Sequence, residues 1–393
     1  MRFLGETHVP FLKYRWVAGA ISLALILGGL GVIVAGPGLN LGIDFVGGTQ
    51  VTVKFVDPPD LARIRTVLQT LETGEPVVQR FDEPEKHEVL IRVENPEGAE
   101  GDFTTPILEA LDRAFNGDEG GKFDLNLGGS QELASILAEE DPDGVDGDPD
   151  TRREHYLEAA EKVMAFRKDH GIFRSLDDVD RIEGLSDAVR AALRRRCTTG
   201  KFSMLGAESV GPAVGRDLRE KARLAILFSL VGMLVYIWIR FQLPYGIGAV
   251  VALFHDVAIT LGALALTQRE INLPTIAALL TLVGYSVNDT VVVFDRVREN
   301  LKLKRGMDLQ ELMDLSINQT LSRTIITSGT TLMVVLSLYL FGGDVINTFA
   351  FVLLVGIIVG TYSSIFVASP VALGMIRWRE RWSRSRRKSR RRR

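Results

Sequence analysis

The chain has 393 residues, 46% of them hydrophobic, a formal net charge of −3 and a mean hydropathy of +0.15. Its apolar residues are bunched into six runs that approach or exceed the roughly 20 residues needed to cross a ~30 Å hydrocarbon core, which excludes a purely water-soluble fold. The single cysteine, Cys197, excludes an intrachain disulfide, so any part outside the membrane is held together by packing.

Residues 1–15 precede the first predicted span, 16–36, whose apolar stretch is Trp16–Ala35. That stretch is too long for the core of a cleavable signal and has no Ala-x-Ala cleavage site at its C-terminal end, so it reads as a retained anchor. GIDFVGGTQ follows. Its glycines allow sharp backbone turns, and Gly42, Asp44, Gly47 and Gly48 are predicted to be structural, shaping the entry into a first strand, with Asp44 bonding local amides.

Residues 37–218 carry the soluble mass. TQVTVKFV (Thr49–Val56) alternates and is β-branched, the mark of a strand. A helix follows Pro58 and Pro59, with Leu61, Ile64, Leu68 and Leu71 on one face. Pro76–Phe81 and Glu88–Glu94 read as paired strands, Pro106–Phe115 as a second helix and Lys201–Glu208 as a returning strand. This order predicts an α+β, ferredoxin-like domain. Residues 117–200 interrupt it as a small helical insertion. The insertion opens with an acidic Gly/Asp-rich linker, Asp118–Asp150, of the composition of a mobile segment. Helices are predicted near Arg152–Asp169 and Ser186–Arg196. GIFRSLDDVDRIEGLSDAVRAALRRR resembles a helix-hairpin-helix module, in which glycine amides face a DNA phosphate. Gly184 is present, but Ser186 stands where a second glycine is usual. Arg190, Arg194, Arg195 and Arg196 offer phosphate contacts, and the acidic linker beside them opposes such contacts. The piece is therefore read as a packing or docking module, and no nucleic-acid partner is expected.

Five further spans form a predicted bundle over residues 219–376, with apolar stretches Leu224–Ile239, Gly246–Leu266, Leu273–Phe294, Ile325–Phe341 and Phe349–Ile376. Lys13 and Arg15 precede the first span, and Arg240 follows the second. Arg296, Arg298, Lys302, Lys304 and Arg305 follow the fourth, and a basic tail, 377–393, follows the sixth. Positive residues mark cytoplasmic ends. The expectation is an α-helical polytopic membrane protein, with both termini cytoplasmic and residues 37–218 external. The tail is suited to anionic lipid at the inner leaflet, at roughly 1 kcal/mol per charge, and fixing topology is a sufficient alternative role.

The informative polar residue is Asp289, inside LPTIAALLTLVGYSVNDTVVVF. An ionisable carboxyl at bilayer depth is costly and points to an ion or proton site; a helix–helix hydrogen-bond anchor is the competing reading. Helical spacing groups Tyr285 and Arg296 with Asp289, and Asn288 is adjacent. On the fifth span Thr320, Arg323, Thr324, Thr327 and Thr331 form a polar stripe. Asp289 lies about two turns, ~10 Å, from its helix's cytoplasmic end, a depth at which Arg323 can pair with it. Burial and a neighbouring cation act on a carboxyl in opposite senses, so such a site can load and release a proton. Asp256, after His255, is a second intramembrane carboxyl, equally a relay member or the cap of a buried network. His255 alone reads as a satisfied packing residue. No metal-ligand spacing, nucleophilic triad or phosphate loop is present, so no enzyme, cofactor or metal is expected.

Four motifs then converge in order: GIDFVGGT after the first span, FHD in the third, VGYSVNDTVVVFDRVREN in the fourth and SINQTLSRTIITSGTTL in the fifth. Together with GTYSSIFVASPVAL in the sixth, they resemble the SecF branch of the SecD/SecF family, within the resistance-nodulation-division superfamily. The resemblance covers nearly the whole chain except the insertion. It implies a proton-motive-force-coupled auxiliary subunit of the Sec protein translocase. It also implies a SecD-like partner, the Sec channel and a preprotein substrate. It assigns proton coupling to Asp289 and Arg323, with Asp256 a weaker transfer, and Tyr285, Asn288, Thr324 and Thr327 as the supporting polar seam. A proton-driven small-molecule exporter of the same superfamily is the alternative.

Overall fold

The computed structural model describes residues 7–391 apart from 72, 75, 82–83, 95–101 and 118–120. The chain divides into two compact units, Ile43–Asp217 and the combination of Met1–Gly42 with Leu218–Arg393. Helix α1 (Arg15–Ala35) follows a 3-10 turn and begins the split unit.

The continuous unit opens with the short α2 (Ile43–Val46) and β1 (Gly48–Phe55). There follow α3 (Leu61–Leu68), β2 (Val77–Phe81), β3 (Glu88–Val93) and α4 (Thr104–Phe115). The insertion contributes β4 (Phe123–Asp124), α5 (Ser130–Glu140), α6 (Pro149–His170), α7 (Asp187–Arg196) and β5 (Cys197–Thr198), and β6 (Phe202–Val210) returns to the main sheet. The four-stranded antiparallel sheet has the order β2-β3-β1-β6. That is the ferredoxin-like order, with the outer two strands added on either side of the β1–β3 pair. Alternation along β1 sends Val51, Val53 and Phe55 to one face, where they meet Ile64 and Leu68 of α3 and Ile107 and Leu111 of α4 in a buried cluster.

The insertion has its own core of Leu133, Leu137, Tyr156, Val163, Phe173, Val189 and Leu193, among others. The acidic stretch expected to be a mobile linker is corrected here. Residues 118–120 lie outside the described residues, but the rest holds β4 and α5. Leu133, Ala134 and Leu137 of α5 are buried, because their spacing places them on one helical face despite the acidic residues around them. Asn126 joins the insertion together. Its amide donates to the carbonyls of Phe173 (2.9 Å) and Gly200 (2.7 Å), and its Oδ1 accepts from the Phe173 N–H (2.8 Å).

The membrane helices are α8 (Pro212–Arg240), α9 (Leu243–Thr267), α10 (Leu273–Leu303), α11 (Leu309–Phe341) and α12 (Gly343–Ser363). A π-helical turn, Ser364–Ala368, links α12 to α13 (Ser369–Arg391). With α1 they supply six segments long and apolar enough to span a bilayer. Several run past their apolar stretches: α10 continues from Phe294 to Leu303, and α11 begins well before Ile325. Residues 392–393 of the basic tail lie outside the described residues. Outward-facing Phe228, Trp238 and Ile239 on α8 are exposed, as expected of side chains that meet lipid or another chain rather than water.

Candidate functional site

Asp289 lies in the middle of α10 and is 3% exposed. The Ser328 hydroxyl on α11 donates to its Oδ2 at 3.0 Å, and Thr361 on α12 donates in turn to Ser328 Oγ at 3.0 Å. Three helices therefore meet at this carboxyl. Arg323 on α11 is exposed; its charge acts on Asp289, yet among the described residues no hydrogen bond or ion pair joins the two. The pair expected from the sequence is thus an electrostatic neighbourhood, with Ser328 as the direct partner.

The supporting seam is only partly assembled. Tyr285 Oη donates to the carbonyl of Thr327 at 3.4 Å, linking α10 to α11. Thr324 is buried, but Thr327 spends its hydroxyl on the carbonyls of Arg323 and Thr324 in its own helix. Thr320 and Thr331 do likewise, the ordinary back-bonding of a helical threonine. Asn288 is exposed and stands apart from the carboxyl on its helix.

Asp256, on α9, is fully buried and carries a denser network. His255 Nδ1 lies 2.8 Å from Oδ1. The Ser286 hydroxyl (α10) donates to Oδ2 in a short contact, and Ser363 (α12) donates to the same oxygen at 2.8 Å. His255 Nε2 lies 2.9 Å from Ser22 Oγ on α1, and Ser22 lies 3.2 Å from Tyr362 Oη, which donates to the Ala18 carbonyl at 2.7 Å. His255 is therefore no isolated packing residue. Asp256 thus joins a buried polar network that draws on four helices, α1, α9, α10 and α12.

Ser286 lies one turn from Asp289 on α10, and Thr361 and Ser363 are two residues apart on α12, so the same two helices serve both carboxyls. Gly360 faces Ser286 at this crossing, where a Cβ on it would stand in van der Waals contact, 3.4 Å from Ser286 Cβ. The π-helical turn begins just after Ser363, and such irregular turns recur at functional sites. Sequence reasoning missed Ser22, Ser286, Ser328, Thr361, Tyr362 and Ser363. Ser286, three residues before Asp289, and the polar cluster TYSS in an apolar span were the available signals.

At the start of the continuous unit, Gly47 and Gly48 adopt φ of +81° and +133°. A Cβ on Gly48 would fall 2.5 Å from the Val93 carbonyl oxygen, and one on Gly47 would fall 2.9 Å from Pro212 Cα. Asp44 lies in α2, and the Gly42 N–H donates to the Ile271 carbonyl at 2.8 Å. In the insertion, Ser186 caps α7 by accepting from the Val189 N–H. Arg194 pairs with Asp180, Arg195 and Arg196 with Glu140, and Arg190 with the Ile182 carbonyl and Asp187. Those cations are engaged within the insertion itself. The buried thiol of Cys197 is pushed up to about 12 by burial, which leaves it inert. No cluster of potential metal ligands occurs among the described residues.

Residues 190–378 match the family model for the protein export membrane protein SecD/SecF, C-terminal, and residues 32–59 match the SecD/SecF GG motif. The protein translocase subunit SecF of Koribacter versatilis is 43% identical over 96% of this chain and 94% of its own length. That of Desulfurispirillum indicum is 38% identical over 95% and 93%. The crystal structure of SecDF from Thermus thermophilus, described as a translocon-associated membrane protein, superposes with a TM-score of 0.65 at 30% identity, over 95% of this chain. The chain spans only 39% of that longer protein. Sequence and fold therefore agree, and the chain belongs to the SecF family.

Proposed function

We propose that this multi-pass membrane protein is an auxiliary subunit of the Sec protein translocase that uses the proton-motive force to promote preprotein export. It acts with a SecD-like subunit beside the Sec channel, catalysing no covalent reaction itself. The observation that carries the reading is the carboxyl of Asp289, buried where three membrane helices meet and tied to them through Ser328 and Thr361. A carboxyl so placed responds to protonation by changing what it can accept from its neighbours. Moving one charge through the membrane potential supplies about 2.3 kcal/mol per 100 mV, enough to bias a helix rearrangement of that size. Asp289 and Arg323 are the coupling residues in this reading, with Asp256 in support. Relatives named as SecF translocase subunits favour preprotein over a small molecule as cargo, so the exporter alternative is set aside.

The orientation that fits this role has both termini in the cytoplasm, the continuous unit outside, and the basic tail against anionic lipid of the inner membrane. No nucleic acid is a partner in this reading. The test is Asp289→Asn, which keeps an oxygen for Ser328 but cannot ionise. In vesicles carrying the variant with its SecD-like partner, proton-gradient-driven stimulation of export is abolished, while insertion and abundance are unchanged. Undiminished stimulation would refute the proposal.

A further inference from the structure

The hydrogen bonds around His255 allow its protons to be counted. Tyr362 Oη lies 2.7 Å from the Ala18 carbonyl, which only accepts, so the phenol proton is committed there. The 3.2 Å contact between Tyr362 and Ser22 must then be filled by the Ser22 proton. With that proton spent, the 2.9 Å contact between Ser22 Oγ and His255 Nε2 needs a proton on Nε2. On the other side of the ring, Nδ1 meets Asp256 Oδ1 at 2.8 Å. That contact is filled either by Nδ1–H donating to a carboxylate or by a protonated carboxyl donating to Nδ1. Asp256 Oδ2 only accepts, from Ser286 and Ser363.

Both arrangements hold one proton more than a neutral imidazole beside a carboxylate. Burial points the same way. Asp256 is 0% and His255 5% exposed, and a neutral ring beside an ionised carboxyl would leave a net negative charge inside the bundle, whereas the extra proton makes the pair neutral overall.

We propose that the His255–Asp256 pair is a second proton-binding site of the membrane bundle, and that this conformation is its proton-loaded form. Unloading removes the Nε2 proton, and the remaining proton stays in the Nδ1–Oδ1 contact, as Nδ1–H donating to the carboxylate. Ser22 must then turn its O–H to the bare Nε2 and abandon Tyr362. The proton thereby controls a tie between α1 and α12. Ser22 and His255 form part of the wall of a largely apolar groove of about 800 Å³ beside α1, α9 and α13. The titratable or charged groups around the pair among the described residues are Tyr362 on α12, Asp289 on α10 one turn from Ser286, and Arg15 on α1 and Arg377 on α13, which also line the groove. The proposal rests on the proton-driven role given above only for its purpose; the protonation state itself is measured without any export assay.

The chain has five histidines, so solid-state NMR of the full chain in lipid bilayers, with ¹⁵N-labelled histidine, can identify His255 by the signal lost in His255→Gln. At neutral pH the wild type should show a protonated Nε2, and raising the pH should convert it to a bare nitrogen. A His255 with bare Nε2 and protonated Nδ1 at neutral pH would overturn the proposal. Proton uptake on acidification provides the second measurement. The double variant His255→Gln, Asp256→Asn should take up one proton fewer per chain than wild type, and equal uptake would overturn the proposal. The His255 signal should persist in Asp289→Asn, so a failure of the translocase reading at Asp289 and a failure at this pair are told apart.

Discussion

Asn126 is 1% exposed and makes three hydrogen bonds to backbone groups that are distant in the chain. Asn126→Ala leaves the Phe173 N–H and carbonyl and the Gly200 carbonyl without those partners. At roughly 1 kcal/mol for each bond, the expected cost is about 3 kcal/mol, or about a hundredfold rise in the population of locally opened insertion. Gly200 adjoins the point where the chain re-enters the main sheet at β6, and its N–H also donates to Asp124 Oδ1 at 2.9 Å. The opening should therefore spread over β4, β5 and the segment after α6, while sparing the β1–β3 pair. Hydrogen exchange with mass spectrometry on the full chain reads this directly. Amides at Phe173 and Leu125 should exchange about a hundredfold faster, and those of Val51 and Ile91 should not change. Unaltered exchange at Phe173 would refute the assignment of Asn126 as the tie. Equal acceleration throughout the sheet would refute the view that the insertion opens as a unit of its own.

Tyr156 donates to Asp141 at 2.8 Å and accepts from the Asp143 N–H at 2.9 Å, and burial first of all pushes its phenol up to about 12. Tyr156→Phe should destabilise the insertion by about 2 kcal/mol, read as faster exchange around residues 141–145. Asp141 is held below the ordinary 3.8 by the Val145 N–H and then Tyr156, and Asp148 by the Thr151 N–H and hydroxyl. A depressed folded value means stability that is present above the unfolded value and lost as pH falls through the folded one. Protection in the insertion, taken relative to the intrinsic exchange rate at each pH, should therefore be flat from neutral to about pH 5 and fall below about pH 4; a loss of protection on going alkaline instead would contradict the assignment. Asp289→Asn, argued above, is the functional counterpart of these structural tests.

The six spans were legible because hydropathy marks the membrane thickness, but it does not mark where a helix stops, and so the extension of α10 to Leu303 was not. The ferredoxin-like order was legible from alternation in Thr49–Val56 and from the prolines that open α3. Helix α5 was hidden because Leu133 and Leu137 are surrounded by Asp, Glu and Gly, and overall composition outweighed the local period. Asp289 stood out because an acid in an apolar run is costly wherever it points. Its partner Ser328 did not, since a serine is unremarkable in any span and only the approach of α11 gives it a role. The threonine stripe misled for a related reason: spacing puts hydroxyls on one face, but a helical threonine can satisfy itself on its own backbone. Pairing between helices is a tertiary property, and Ser22 with His255 shows the distance involved, two residues far apart in sequence and 2.9 Å apart in space.

That contact has a spacer. Gly29 on α1 and Gly262 on α9 each lie seven residues beyond Ser22 and His255, about two turns along their helices. A Cβ on Gly29 would stand 2.8 Å from Gly262 Cα, and one on Gly262 the same distance from Gly29 Cα. The two backbones touch, as small residues permit in membrane bundles. Carbon atoms settle at about 3.5–4.0 Å, so Gly29→Ala must open the helices by about 1 Å, and the obstacle is backbone that cannot swing aside. Transmitted two turns along nearly rigid helices, a displacement of that size carries the 2.9 Å contact between Ser22 and His255 beyond hydrogen-bonding distance. The variant should lower the unfolding temperature of the purified chain, at a cost of about 1–3 kcal/mol. It should also alter the ¹⁵N resonance of His255 Nε2, although no atom near the ring has been changed. An unchanged resonance with a lowered unfolding temperature would mean that α1 pivots about Ser22 and that the glycine pair serves packing alone. Both unchanged would mean that the close approach of these helices is not a constraint at all.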